Sequence, residues 1–319
     1  MQTALTTLLG IDLPILCGGL YGVSNPTLVA AVSNAGGLAF LASGHLSSAN
    51  ALREAIQDTK NKTQKPFGVN VSLLSESKSD LSMAFIKVII EEQIKVVETS
   101  GNNPENLIKL LKPHGVTILH KVVTSKHALK AEKAGADGII LVGYSAGGHP
   151  GMYGIDTMTN LQDTLKKVCV PVVAAGGFYT GKSMASALLL GASGVLMGTA
   201  FSMTEESCYH PKLKQRLVDA DVTDTVVIFK SVGNAFRCLK NECSETVLKK
   251  EAEQATPQEL FKVLKDTDVV VSYTSGETEQ IVIPTGQVVG LIREIKSCRK
   301  LIEDLMFDCQ NALNQALKF

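Results

Sequence analysis

The chain has 319 residues, 45% of them hydrophobic and 19% charged, which excludes a largely disordered polypeptide. Lysine plus arginine and aspartate plus glutamate both number 31, so no net charge draws the protein to nucleic acid or to an anionic membrane. The absence of tryptophan leaves little for base stacking, and an odd number of cysteines (seven) with no C-x-x-C argues against a disulfide framework or a zinc ribbon.

The length fits two domains, or one barrel-sized domain with an addition. The N-terminus lacks the basic-then-apolar pattern of an export signal, and with reduced thiols the expectation is a cytoplasmic protein. Two uncharged stretches, 13–52 and 183–204, are broken by glycine and small polar residues. They are read as buried core and not as membrane spans.

Eight short apolar runs follow one another, at 14–16, 38–41, 67–70, 95–98, 116–120, 138–142, 171–174 and 194–197. They are continuous, as strands covered on both faces should be. Seven stretches with apolar residues at helical spacing lie among them, at 27–34, 48–59, 82–93, 104–112, 125–133, 160–168 and 182–190. Alternating strand and helix means a parallel sheet, and eight units favour a TIM (β/α)8 barrel over an open doubly wound sheet. After Phe201 the rhythm is lost and charges increase. The division expected is a barrel over 1–203, a smaller, mostly helical domain over 204–285 with a short strand at 269–272, and a C-terminal helix over 286–319 returning to the barrel.

A parallel barrel builds its site at the C-terminal ends of the strands. Strands 7 and 8 end in Ala175-Gly176-Gly177 and Gly198-Thr199, where glycines let backbone N–H groups approach a phosphate; tight turns are the plainer explanation. Strand 6 ends in an uncharged loop carrying Gly148 and His149, either a hydrogen-bonding imidazole or a structural turn residue. Lys121 ends an apolar strand, and three uses fit it: neutralising an anion, forming a Schiff base, or reaching out to the rim. The remaining histidines, His120 among them, lack metal-ligand spacing, so no metal site is expected, and most are taken as surface or turn residues. The run Gly176–Ser183, GGFYTGKS, matches the phosphate-binding loop of nucleotide hydrolases, but the next strand ends without the acid that would hold magnesium, which argues against an NTPase.

Taken together, the motifs resemble the FMN-dependent nitronate monooxygenase (2-nitropropane dioxygenase-like) family. The resemblance rests on PILCGGLYGVSNPTLVAAVSNAGGLAFLASG at 14–44, PFGVN at 66–70, AGGHPG at 146–151, PVVAAGGFYTG at 171–181 and LGASGVLMGTAF at 190–201, followed by Thr204-Glu205-Glu206. It implies a TIM barrel with a second helical domain and bound FMN. By position, the flavin contacts would be Gly18, Gly19, Leu20, Asn70, Ser72, Lys121, Gly148, Ala175, Gly176, Gly177, Gly198 and Thr199. Leu20 replaces a methionine common in the family, a near-isosteric exchange. His149 would be the histidine beside the flavin, and Lys121 would stabilise charge on the reduced ring.

The family includes nitronate monooxygenases, NADH:quinone reductases and enoyl-acyl carrier protein reductases. VVETSGNNP at 96–104, HGVTILHK at 114–121, HALKAE at 127–132 and His149-Pro150-Gly151 resemble the quinone reductase branch, with NADH or NADPH as co-substrate. That branch has a proline in the loop after strand 3; here the loop, LLSESKSDLSM at 73–83, has none. The implied partner is a small molecule, a quinone or a nitronate, with a homodimer left open.

Overall fold

The computed structural model describes residues 1–73, 79–264 and 268–318. Eight parallel strands close into a barrel: β1 (Ile15–Cys17), β2 (Leu38–Ala42), β3 (Gly68–Leu73), β4 (Val96–Gly101), β5 (Thr117–Val122), β6 (Gly138–Val142), β7 (Val172–Ala175) and β8 (Gly194–Met197). The register of Ile15, Leu16 and Cys17 with Val195, Leu196 and Met197 completes the ring. The chain therefore folds as the TIM barrel its strand count predicts.

Helix α1 (Ala4–Leu9) precedes the first strand. Its Leu5 and Leu9 join Leu16, Leu38, Phe40, Leu119 and Ile140 in the apolar filling of the barrel. The outer helices are α2 (Pro26–Asn34), α3 (Ala49–Lys62), α4 (Ser79–Glu91), α5 (Glu105–Leu111), α6 (Ser125–Lys133), α7 (Thr157–Leu165) and α8 (Gly181–Leu189). A larger cluster that includes Val29, Ile56, Val69, Ile118 and Leu161 fills the layer between helices and barrel. Side-chain caps fix several helix starts: Ser48, Thr124, Asp156 and Thr180 each accept from a backbone N–H three residues on.

After β8 come α9 (Thr199–Ser202), α10 (Pro211–Val218), the hairpin β9 (Thr225–Ile228) and β10 (Phe236–Leu239), then α11 (Glu242–Ala252), α12 (Pro257–Phe261) and α13 (Val269–Ser275). The strand expected at 269–272 is a correction: the segment is helical. Val269, Val270 and Val271 favour a strand by local preference. Asp268 instead accepts from the Val270 and Val271 N–H groups, and Tyr273 packs edge-on against Tyr209 at 5.0 Å. The hairpin was not anticipated. It has its own small core of Ile228, Phe229, Cys238, Val247 and Leu260.

The last helix, α14 (Cys298–Ala316), packs on α8 and α2. The contact with α8 is close: a side chain at Gly181 would come within 2.3 Å of the Cys309 nitrogen. Among the described residues, no helix is long and apolar enough to cross a membrane.

Candidate active site

The C-terminal ends of the strands open into a cavity of about 1430 Å³. Single-ligand pockets usually span about 300–1,000 Å³, so this one is larger than most. Its floor includes Asn70 and Ser72 of β3 and Lys121 of β5, with Ala175 and Gly176 at β7 and Gly198 and Thr199 after β8. Gly19, Leu20, Gly148, His149 and Gly177 complete the predicted set on its walls. Gly18 is the exception: it is buried just beneath the lining, and its carbonyl accepts from Ser24 at 2.9 Å.

The centre of the floor is a charged pair that the sequence reading did not pick out. Asn70, Glu98 and Leu119 share one rung of the sheet, and Lys121 is the next residue on the same face of β5. Glu98 is fully buried; its Oε1 lies 2.6 Å from the Lys121 ammonium. Its Oε2 accepts from the Gly19 N–H at 2.8 Å and from the Asn70 amide at 2.9 Å. Lys121 is thus held by a carboxylate of the protein itself, a partner that none of its three expected uses included. The missed signal was an acid directly after the apolar pair Val96-Val97, inside a strand of the barrel.

The reading of His120 as a surface or turn residue is also corrected. It is 4% exposed, and its Nδ1 lies 2.7 Å from Thr99 Oγ1. Burial, with smaller contributions from His127 and Lys121, lowers its pKa to about 4, so it is neutral near pH 7.

His149 is exposed on the cavity wall. Partial desolvation lowers its pKa; a hydrogen bond with the Asn234 side chain opposes the shift and Lys121 adds to it. The ring meets Phe236 of β10 edge-on at 4.9 Å. The hairpin is tied to the same loop by backbone bonds in both directions between Gly148 and Arg237, at 2.9 and 2.7 Å. Arg237 is buried, donates to the Tyr144 carbonyl at 3.1 Å and lies over the Tyr144 ring. The segment after β8 therefore supports the loop that carries His149.

Gly176 and Gly177 have φ of +88° and +93°, backbone that favours glycine. A side chain on Gly176 would strike the Gly143 carbonyl at 2.9 Å, whereas one on Gly177 would meet only Ser145, at 3.7 Å. Gly177 thus borders open space, as a backbone cradle for an anion requires. The GGFYTGKS match is spent differently. Thr180 and Ser183 cap α8 reciprocally, Gly181 lies under α14, and Lys182 points outward, exposed. With Lys182 turned to solvent, the ammonium that a P-loop sets against its phosphates is missing, which argues against the NTPase alternative.

A closed parallel barrel with a roomy cavity at its strand ends, a buried ion pair beneath and a histidine at the wall defines an enzyme of the α/β-barrel class. The nitronate monooxygenase family model matches residues 2–308, and the chain belongs to that family. It is therefore an FMN-type oxidoreductase. It is 32% identical, over 97% of its length and 96% of the relative's, to a (3aS,4S,5R,7aS)-5-hydroxy-7a-methyl-1-oxo-octahydro-1H-indene-4-carboxyl-CoA dehydrogenase from Rhodococcus jostii. A probable nitronate monooxygenase of Staphylococcus aureus is 29% identical over 79% of this chain and 82% of its own. Among solved structures, FabK from Thermotoga maritima superposes with a TM-score of 0.93 and 36% identity, covering 100% of this chain and 99% of that one.

Proposed function

We propose that this protein is an FMN-dependent reductase that passes electrons from NADH or NADPH to the double bond of an α,β-unsaturated acyl thioester. The observation that carries this reading is the shape and lining of the cavity. It exceeds what a flavin alone needs, and its outer part is apolar, with Phe229, Phe236, Phe261, Leu264, Val269 and Val282 contributed by the segment after β8. Such a roof suits an acyl chain. The likeness to a CoA-thioester dehydrogenase along nearly the whole chain supports the same substrate class.

The residues fit FMN. The φ-positive Gly177 beside open space, with Gly176, Gly198 and Thr199, suits the phosphate. Asn70 and Lys121 offer polar groups for the ring. Bound FMN supplies a carrier that takes two electrons from the nicotinamide and gives them to the double bond. His149 remains neutral near pH 7 and donates an N–H to the thioester carbonyl oxygen, where negative charge develops as the β-carbon is reduced. Phe236 and Asn234 hold the ring in place. The apolar roof excludes water, which strengthens that hydrogen bond.

The quinone reductase reading is the second, favoured by the motifs at 96–104, 114–121 and 127–132 and by His149-Pro150-Gly151. The proline-free loop lies partly outside the described residues, since 74–78 are not among them. The two readings separate in one assay: NADH oxidation by the purified flavoprotein under argon, with a 2-enoyl-CoA or a quinone as acceptor. Turnover with the enoyl-CoA well above that with quinones supports thioester reduction. Turnover with quinones alone refutes it.

A further inference from the structure

Glu98 lies in β4 behind two valines, and none of its side chain reaches solvent. A carboxylate there is costly unless its oxygens are well satisfied. Three neighbouring elements meet it: Oε2 accepts from the Gly19 N–H after β1 and the Asn70 amide on β3, whereas Oε1 has no hydrogen bond and faces the Lys121 ammonium on β5 as an ion pair. Of the other ionisable neighbours, Cys17 on β1 adds no charge, because burial pushes its thiol up to about 12, and His120 and His149, both near Lys121, have lowered pKa values. The cluster therefore carries no net charge.

Two consequences follow for whatever occupies the cavity. The Lys121 charge is cancelled within 2.6 Å. The Asn70 amide spends one N–H on Glu98, which fixes the side chain and leaves its carbonyl oxygen and second N–H to meet a ligand. We propose that Glu98 is a positioning residue for the flavin ring, cancelling the charge of Lys121 and orienting Asn70 so that the pocket offers directed hydrogen-bonding groups without net positive charge. This rests on the reading of the cavity as an FMN site.

The test is a double-mutant cycle on the full chain reconstituted with FMN, using Glu98→Gln, Lys121→Met and both together, with Glu98→Asp as the charge-conserving control. The readouts are the midpoint potential and the affinity of the bound flavin for sulfite, which rises with positive charge near the ring. Glu98→Gln exposes the ammonium and should raise sulfite affinity about tenfold and move the potential upward, the effect of one added charge within about 10 Å at an effective dielectric near 20. Lys121→Met should move both the other way. The double variant replaces one neutral pair by another and should return to within about threefold of the wild type. Glu98→Asp should stay near the wild type. Thermal unfolding of the flavin-free proteins gives an independent readout: each single variant should unfold at a lower temperature than the double. Single-variant shifts of the same sign, or a double variant no closer to the wild type than either single, overturn the assignment while FMN binding persists. Failure of the wild type to take up FMN overturns both the assignment and the reading beneath it.

Discussion

His120 makes a prediction whose size follows from its surroundings. In the unfolded chain its imidazole titrates at the ordinary 6.5, whereas in the fold burial lowers this to about 4. Between those values the unfolded chain binds more protons than the native one. Stability therefore rises with pH through that window, is complete above about 6.5, and is lost as the pH falls toward 4. The gap corresponds to about 3 kcal/mol at about 1.4 kcal/mol per tenfold. Glutamine at this position keeps a neutral polar partner for Thr99 and removes the titration. Urea unfolding of the wild type and His120→Gln, measured from pH 4.5 to 8, should show the wild type losing about 2–3 kcal/mol more than the variant at the acid end. Parallel profiles would refute the burial argument.

Other consequences are open to direct measurement. His149→Ala should lower turnover about 10²-fold while FMN content stays near that of the wild type; loss of the flavin instead would make His149 a binding residue. A side chain at Gly19 would lie 2.2 Å from Asn70 Cβ, so Gly19→Ala should weaken FMN binding at least about tenfold in a dialysis assay. Unchanged binding would remove Gly19 and Asn70 from the flavin site. Lys182→Ala should leave flavin content and turnover unchanged, whereas Thr180→Ala should cost about 1 kcal/mol in denaturant unfolding, because Thr180 caps α8 and Lys182 only faces solvent.

The barrel was legible because each strand contains a short apolar run and the helices between carry their own period; β6 and β8 fall at the positions read from sequence. Failures cluster where long-range contacts decide. The hairpin of β9 and β10 is held partly by the pairing of Gly148 with Arg237, residues 89 apart in the chain, which no local pattern announces. The β-branched start of α13 misled because its cap and the Tyr209–Tyr273 contact outweigh local preference. Gly18 apart, the glycines and His149, placed after strand ends in the sequence, do line the cavity. Glu98 and His120 were not legible, since burial and partners on β1, β3, β4 and β5 give them their character.

The most direct measurement of the proposed activity is an anaerobic two-step titration of the flavin-loaded protein, followed by its visible absorbance. NADH or NADPH should bleach the flavin band, and a stoichiometric 2-enoyl-CoA should then restore it, with the saturated thioester as product. A band that NADH and NADPH leave untouched, or that a quinone restores and the enoyl-CoA does not, would contradict thioester reduction.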